Sequence, residues 1–235
     1  MRRIALRDRN DSATVPAMHI TVIPVTPFRQ NCSLVRCERS GDAAIVDPGG
    51  DLDRIEAAIA SERANVSQIL LTHGHLDHAG AAAELARRLA VPIVGPHRDD
   101  AFLLDSLAEH GARYGWTGVS AVEPTRWLAD GETVEVGECR LDVIHCPGHT
   151  PGHVVFYDGE GDAALVGDVI FNGSVGRTDL PRGSYPALVD SIRNKLWPLG
   201  ESVTFYPGHG PTSTFGWERK CNPFVADLAF DDDDD

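Results

Sequence analysis

The stretch Leu70, Leu71, Thr72, His73, Gly74, His75, Leu76, Asp77, His78 constrains this chain more than any other. An apolar run that reads as a buried strand stops at Thr72, and four side chains able to bind metal follow at once, just before an alanine-rich helical pattern begins. His73 and His75 are two apart, so in extended backbone their rings fall on the same side. Asp77 and His78 lie where the chain turns into the helix and aim at a neighbouring point. A single histidine pair on a loop would need no special reason. Three histidines and an aspartate, spaced only by Gly74 and Leu76, read as a loop feeding two metal sites.

Three further strand ends supply the remaining ligands. In His145, Cys146, Pro147, Gly148, His149, Thr150, Pro151, Gly152, His153 the histidines are four apart, but two prolines and two glycines forbid a helix, so the segment is a strand end, a turn and a new strand. His149 at the turn is the candidate ligand, and His145 and His153 are expected to pack or to donate hydrogen bonds behind the ligands. Leu165, Val166, Gly167, Asp168 is an apolar strand that stops at an aspartate. Phe205, Tyr206, Pro207, Gly208, His209, Gly210 is another strand ending in a histidine, with glycine on either side leaving room for a close approach. The expected grouping is His73, His75 and His149 for one metal and Asp77, His78 and His209 for a second, with Asp168 bridging. Imidazole and carboxylate without thiolate suit two divalent ions, zinc first, with iron or manganese as alternatives. An HExxH helix and a GxSxG elbow are absent.

Patterning predicts an α/β fold. Residues 19–25, 33–37 and 43–46 read as antiparallel strands, followed by a helix at 52–63, a strand at 67–71, a helix at 79–89, a strand at 91–94 and a helix at 99–109. The second half repeats the order, with strands at 133–136, 139–144, 154–157 and 163–166, a helix from 185 to 197 capped by Ser184, and a closing strand at 203–206. Strands before helices in both halves imply two sheets face to face with helices outside. One folded domain is expected over 18–230, because 235 residues suit a single α/β domain and no linker interrupts them. Residues 1–17 carry four arginines but no apolar core, so they read as a disordered extension and not a secretory signal, and 231–235 as a solvated acidic tail.

Composition excludes several function classes. With 21 Lys and Arg against 35 Asp and Glu, the formal charge of −14 disfavours nucleic acid and anionic lipid as partners. No window approaches the roughly 18 apolar residues of a membrane span. Cys32, Cys37, Cys139, Cys146 and Cys221 are odd in number and form no CxxC pair, as expected of reduced thiols in a cytoplasm. All but Cys146, which lies among the histidines, are expected to be buried as small hydrophobes.

These residues resemble the metallo-β-lactamase superfamily, and in detail its glyoxalase II group, the hydroxyacylglutathione hydrolases, especially short single-domain bacterial members. The similarity runs from about residue 18 to 224 and includes the segments PVTPFRQNCSLV, VDPGG, GRTDLPRG and NPF. The resemblance implies an αββα sandwich of two mixed sheets with a binuclear site at one edge, and hydrolysis of S-D-lactoylglutathione or a related glutathione thioester. A hydroxide bridging the metals would attack the carbonyl, with Asp77 orienting it as the catalytic residue. Arg177 matches a position where Lys or Arg meets the glutathione, its alternative being an ordinary ion pair with Asp179. Longer members carry a C-terminal helical domain with basic residues that hold glutathione. Its absence here implies weak, broad thioesterase activity. The rival within the superfamily is a persulfide dioxygenase using one iron on His73, His149 and Asp168, and a complete second site through His209 argues for the hydrolase.

Overall fold

The computed structural model describes residues 18–227, so the readings of 1–17, of 231–235 and of the last three positions of the expected domain lie outside the described residues. Alternation along the strand Asp42–Val46 sets the layering: Ala44 and Val46 face one apolar cluster while Ala43 and Ile45 face another. That strand is β3 of a five-stranded sheet in the order β1 (Met18–Val25), β2 (Gln30–Cys37), β3, β4 (Asn65–Leu70), β5 (Ile93–Val94). β1, β2 and β3 pair antiparallel, and β3, β4 and β5 parallel.

The second large sheet runs β6 (Thr133–Val136), β7 (Cys139–His145), β8 (Val154–Asp158), β9 (Ala163–Gly167), β12 (Thr204–Pro207), β13 (Ser213–Thr214), and only β9 and β12 are parallel in it. A short hairpin of β10 (Ile170–Phe171) and β11 (Ser174–Val175) stands apart. Val35, Ala44 and Leu70 of the first sheet pack against Leu141, Phe156 and Leu165 of the second in one core. The outer face of the first sheet is covered by Ile55 of α1 (Leu52–Ser61), Leu85 of α3 (Ala82–Leu89) and Leu107 of α5 (Leu107–Arg113). Leu188 of α6 (Tyr185–Ser191) and Phe215 of α7 (Phe215–Cys221) cover the outer face of the second. The layers are therefore helix, sheet, sheet, helix, and both large sheets are mixed.

Three expected helices are shorter or divided, each for a local reason. The pattern over 79–89 is split into α2 (Leu76–Ala79) and α3, because the Ala81 N–H donates to Pro48 O at 3.0 Å in place of the preceding turn. The pattern over 99–109 becomes a 3₁₀ turn, α4 (Ala101–Asp105) and α5, where the Ser106 hydroxyl donates to the carbonyls of Phe102 and Leu103 at 2.9 and 3.0 Å. Ser184 does cap α6 through the Ala187 N–H, but regular helix ends at Ser191 and relaxes into π and 3₁₀ turns ahead of Gly200.

The thiols depart from expectation at two places. Cys32, Cys37 and Cys139 are buried as expected, but so is Cys146, inside the apolar cluster under α6, where burial pushes its thiol up to about 12. Cys221, expected inside, is exposed on the last turn of α7.

β4, β7, β9 and β12 all end at one edge of the sandwich. Three backbone bonds close it: Val154 N–H to Thr72 O at 2.8 Å, Asn31 N–H to Gly208 O at 2.7 Å and Gly208 N–H to Gly167 O at 2.7 Å.

Candidate metal centre

The loop after β4 carries His73 and then His75, the latter in extended backbone, and the single turn of α2 carries Asp77 and His78. The His145–His153 segment delivers His149 opposite, Asp168 follows β9, and His209 follows β12. All seven residues singled out as ligands thus meet at the one edge where these strands end.

Hydrogen bonds behind the rings decide which nitrogen faces inward. The Nδ1–H of His149 donates to the Arg177 carbonyl at 2.7 Å, which leaves its Nε2 with a lone pair. The Thr72 hydroxyl donates to the Asp47 carboxylate and so accepts from His73 Nδ1–H at 3.0 Å, which frees His73 Nε2 in the same way. These two Nε2 atoms lie 3.1 Å (His73) and 2.9 Å (His149) from Nδ1 of His75. Burial pushes all three imidazoles below the usual histidine range, with neighbouring histidines adding to it at His73 and His75. Three neutral nitrogens converging on one point form a cradle for a cation.

The second group is built on the same logic. His78 Nδ1 lies 2.9 Å from Asp47 and donates to it, so its Nε2 points inward. That Nε2 is buried without a hydrogen-bond partner, as is Asp168 Oδ1, and the two face each other at 3.3 Å. A buried lone pair set against a carboxylate oxygen requires positive charge between them. Asp77 Oδ2 lies 3.2 Å from His209 Nε2 and 3.9 Å from His78 Nε2. Asp168 Oδ2 lies 3.5 Å from His149 Nε2 and 3.7 Å from His209 Nε2, so one carboxylate spans both groups. Burial would lift the Asp168 carboxyl, but His78, His149 and His209 hold it well below the usual range, and His78 with His209 does the same for Asp77. Against burial, Asp168 and Asp77 hold His78 well above the usual histidine range, and Asp77 with Asp168 raises His209, so a cation here would take the place of their protons; convergent nitrogen and oxygen donors of this kind fit metal ions.

The structure separates the other candidates. His153 packs behind the centre, its ring stacked on His73 at 4.7 Å and its Nε2 accepting the Asp168 N–H at 3.0 Å. His145 turns away, bonded to Pro151 O at 2.8 Å and stacked on His97. The Arg177 guanidinium forms the ion pair with Asp179, through two contacts of 2.7 Å, while lining the cavity over the centre.

Sequence reasoning missed Asp47, Thr72 and Asp100. Asp47 had the same signal as Asp168, an apolar strand ending in aspartate. Asp100 had none, since it sits in the charged run Arg98, Asp99, Asp100 that reads as surface, yet it is fully buried.

A cavity of about 1010 Å³ opens from His75, Asp77, His149, Asp168 and His209 to solvent. With that geometry in view, the sequence profile described as "Metallo-beta-lactamase superfamily" matches residues 25–214. The hydroxyacylglutathione hydrolase GloC of Haemophilus influenzae is 44% identical over 88% of this chain and 98% of its own length. Among solved structures, BLEG-1 B3 metallo-beta-lactamase aligns with a TM-score of 0.81 at 32% identity, over 88% of this chain and 99% of its own. TTHA1623 in a di-iron-bound form aligns at 0.79 and 35% identity, over 87% and 100%.

Proposed function

The chain belongs to the metallo-β-lactamase superfamily, and from that premise we propose that it is a metal-dependent thioesterase acting on S-D-lactoylglutathione or related glutathione thioesters. The observation that carries the reading is the second donor group, Asp77, His78 and His209, complete and joined through Asp168 to the first. Similarity to GloC over nearly its whole length supports the substrate class.

Two divalent cations, zinc first and iron or manganese next, held by His73, His75 and His149 on one side and Asp77, His78 and His209 on the other with Asp168 between, would supply hydroxide at neutral pH and polarise a carbonyl oxygen. The di-iron form of a 35% identical protein keeps iron a serious alternative. Asp77 lines the cavity as an ionised carboxylate, placed to accept a hydrogen bond from the attacking water and so orient it toward the acyl carbon. The Arg177 carbonyl locks the His149 ring, while its guanidinium, exposed at the mouth, can exchange Asp179 for a carboxylate of the glutathione. Cys146 is buried and protonated, so it does not compete as nucleophile. The five cysteines, none of them in a disulfide, support the proposal of a reducing, cytoplasmic setting, and no helix among the described residues is long and apolar enough to cross a membrane.

Purified, metal-quantified protein assayed with S-D-lactoylglutathione and with glutathione persulfide tests the reading. The expected result is two metals per chain and release of thiol. One iron per chain with persulfide-dependent oxygen consumption would overturn it in favour of a dioxygenase centred on His73, His149 and Asp168.

A further inference from the structure

The cavity over the donor groups, at about 1010 Å³, stands at the upper end of the roughly 300–1,000 Å³ typical of ligand pockets, more than a lactoyl group needs. Beyond the donors one wall is apolar, formed by Phe28 from the β1–β2 turn, Leu76, and Phe102 and Leu103 of α4. Phe28 is 49% exposed and packs edge-on against Tyr114, itself 65% exposed, at 5.9 Å. The Arg182 guanidinium lies 4.2 Å over the Phe102 ring and holds it at the mouth. Exposed aromatic rings that border a reactive centre mark a surface that a ligand covers.

Two polar groups beside this wall are already engaged. Ser106 donates into its own helix, and Arg113 is paired with Glu109. Hydrocarbon laid on this wall gains burial at about 25 cal/mol per Å². Arg177 lines the same cavity and, in the thioesterase reading, takes the glutathione end, which leaves the apolar wall to the acyl end.

We propose that the wall of Phe28, Leu76, Phe102 and Leu103 is an acyl-binding surface, and that the substrates this site prefers are thioesters of aryl or medium-chain apolar acids rather than of small hydroxy acids. The inference rests on the thioesterase reading. The reaction is plain hydrolysis: the water oxygen bonds to the acyl carbon, the C–S bond breaks, the sulfur leaves with the electron pair and takes up one of the water's protons, and the other is released to solvent, giving carboxylate and thiol.

The test compares kcat/KM of the metal-loaded full chain for lactoyl-, hexanoyl- and phenylacetyl-glutathione. The apolar thioesters are expected to be about tenfold or more better, the discrimination that one or two buried methylenes provide. Phe28→Ala, at an exposed position, and Phe102→Ala should collapse the hexanoyl-to-lactoyl ratio toward one, and Phe102→Leu should preserve it. Binding of the unreactive S-hexylglutathione and S-methylglutathione, read by calorimetry, should differ about tenfold in favour of the hexyl compound. Equal rates across the acyl series, equal binding of the two thioethers, or variants that slow all thioesters alike would each overturn the acyl surface. Failure to hydrolyse any thioester would instead overturn the parent reading, and the two thioethers still decide whether the wall binds hydrocarbon.

Discussion

The buried carboxylate of Asp100 accepts the Gly74 N–H at 3.0 Å, from the loop that carries His73 and His75. It also accepts the Thr150 hydroxyl at 2.8 Å and the Gly152 N–H at 2.6 Å, from the loop that carries His149. One side chain outside the donor set therefore ties together the two loops whose nitrogens must converge. Asp100→Asn places an amide N–H against a backbone N–H, that of Gly74 or of Gly152, which only donates, so it should lower kcat at least about tenfold and reduce stability by about 1–3 kcal/mol. Metal titration and thermal unfolding check this, and unchanged metal affinity with unchanged Tm would remove Asp100 from the account.

Gly208 precedes His209, and a Cβ there would lie 2.2 Å from Asp168 Oδ1 and 2.5 Å from His78 Cε1. Gly208→Ala must push apart two donors that face each other across the centre. The expected result is loss of bound metal and of activity by about two orders of magnitude, measured by elemental analysis of the purified variant.

Asp168 touches both donor groups, whereas His209 touches one. Asp168→Ala should therefore lose both metals and His209→Ala one, read as metal-to-protein stoichiometry. Chelation of the wild type should lower its Tm, since a ligand at about 100 times its dissociation constant stabilises the fold by about 2.7 kcal/mol.

His153 is fully buried, and burial followed by the His149 charge pushes its pKa well below the usual histidine value. Below about pH 6.5 the unfolded chain gains a proton at this position that the folded one refuses, so stability falls as pH falls, by about 1.4 kcal/mol per pH unit from this group. His153→Gln keeps an acceptor for the Asp168 N–H but removes the titration. Urea unfolding of both proteins between pH 7 and pH 5 should show the flatter dependence in the variant, and parallel curves would contradict the assignment.

Asp179 holds the Arg177 guanidinium at the cavity mouth and so competes for it with a carboxylate of the substrate. Arg177→Ala should raise KM for glutathione thioesters about tenfold, the loss of one charge-assisted contact. Asp179→Asn should shift KM the opposite way by releasing the guanidinium. Steady-state kinetics on one thioester reads both signs.

The divided helices and the thiols show where sequence reasoning stops. Ala81 and Ser106 sit in sequences that suit helix, yet a carbonyl from the Pro48 loop and a back-bonding hydroxyl interrupt them. Cys146 stands next to His145 in the chain but faces the apolar layer under α6. Neighbours in sequence share a strand without sharing a face, and neighbours in space are set by which layer each face meets.

Residue order alone carried the donor series, because each donor sits in a short segment that follows an apolar strand and such strands announce their ends locally. It carried the layered sandwich for the same reason, through alternation that has to bury one face on each neighbouring layer. What direction each lone pair takes, which carboxylate spans both groups and how much apolar wall surrounds them were decided only when Asp47, Asp100 and Arg177 closed on the donor loops from distant segments. Hydrogen bonds and burial act at contact range, so they exist only after the strands have brought those segments together.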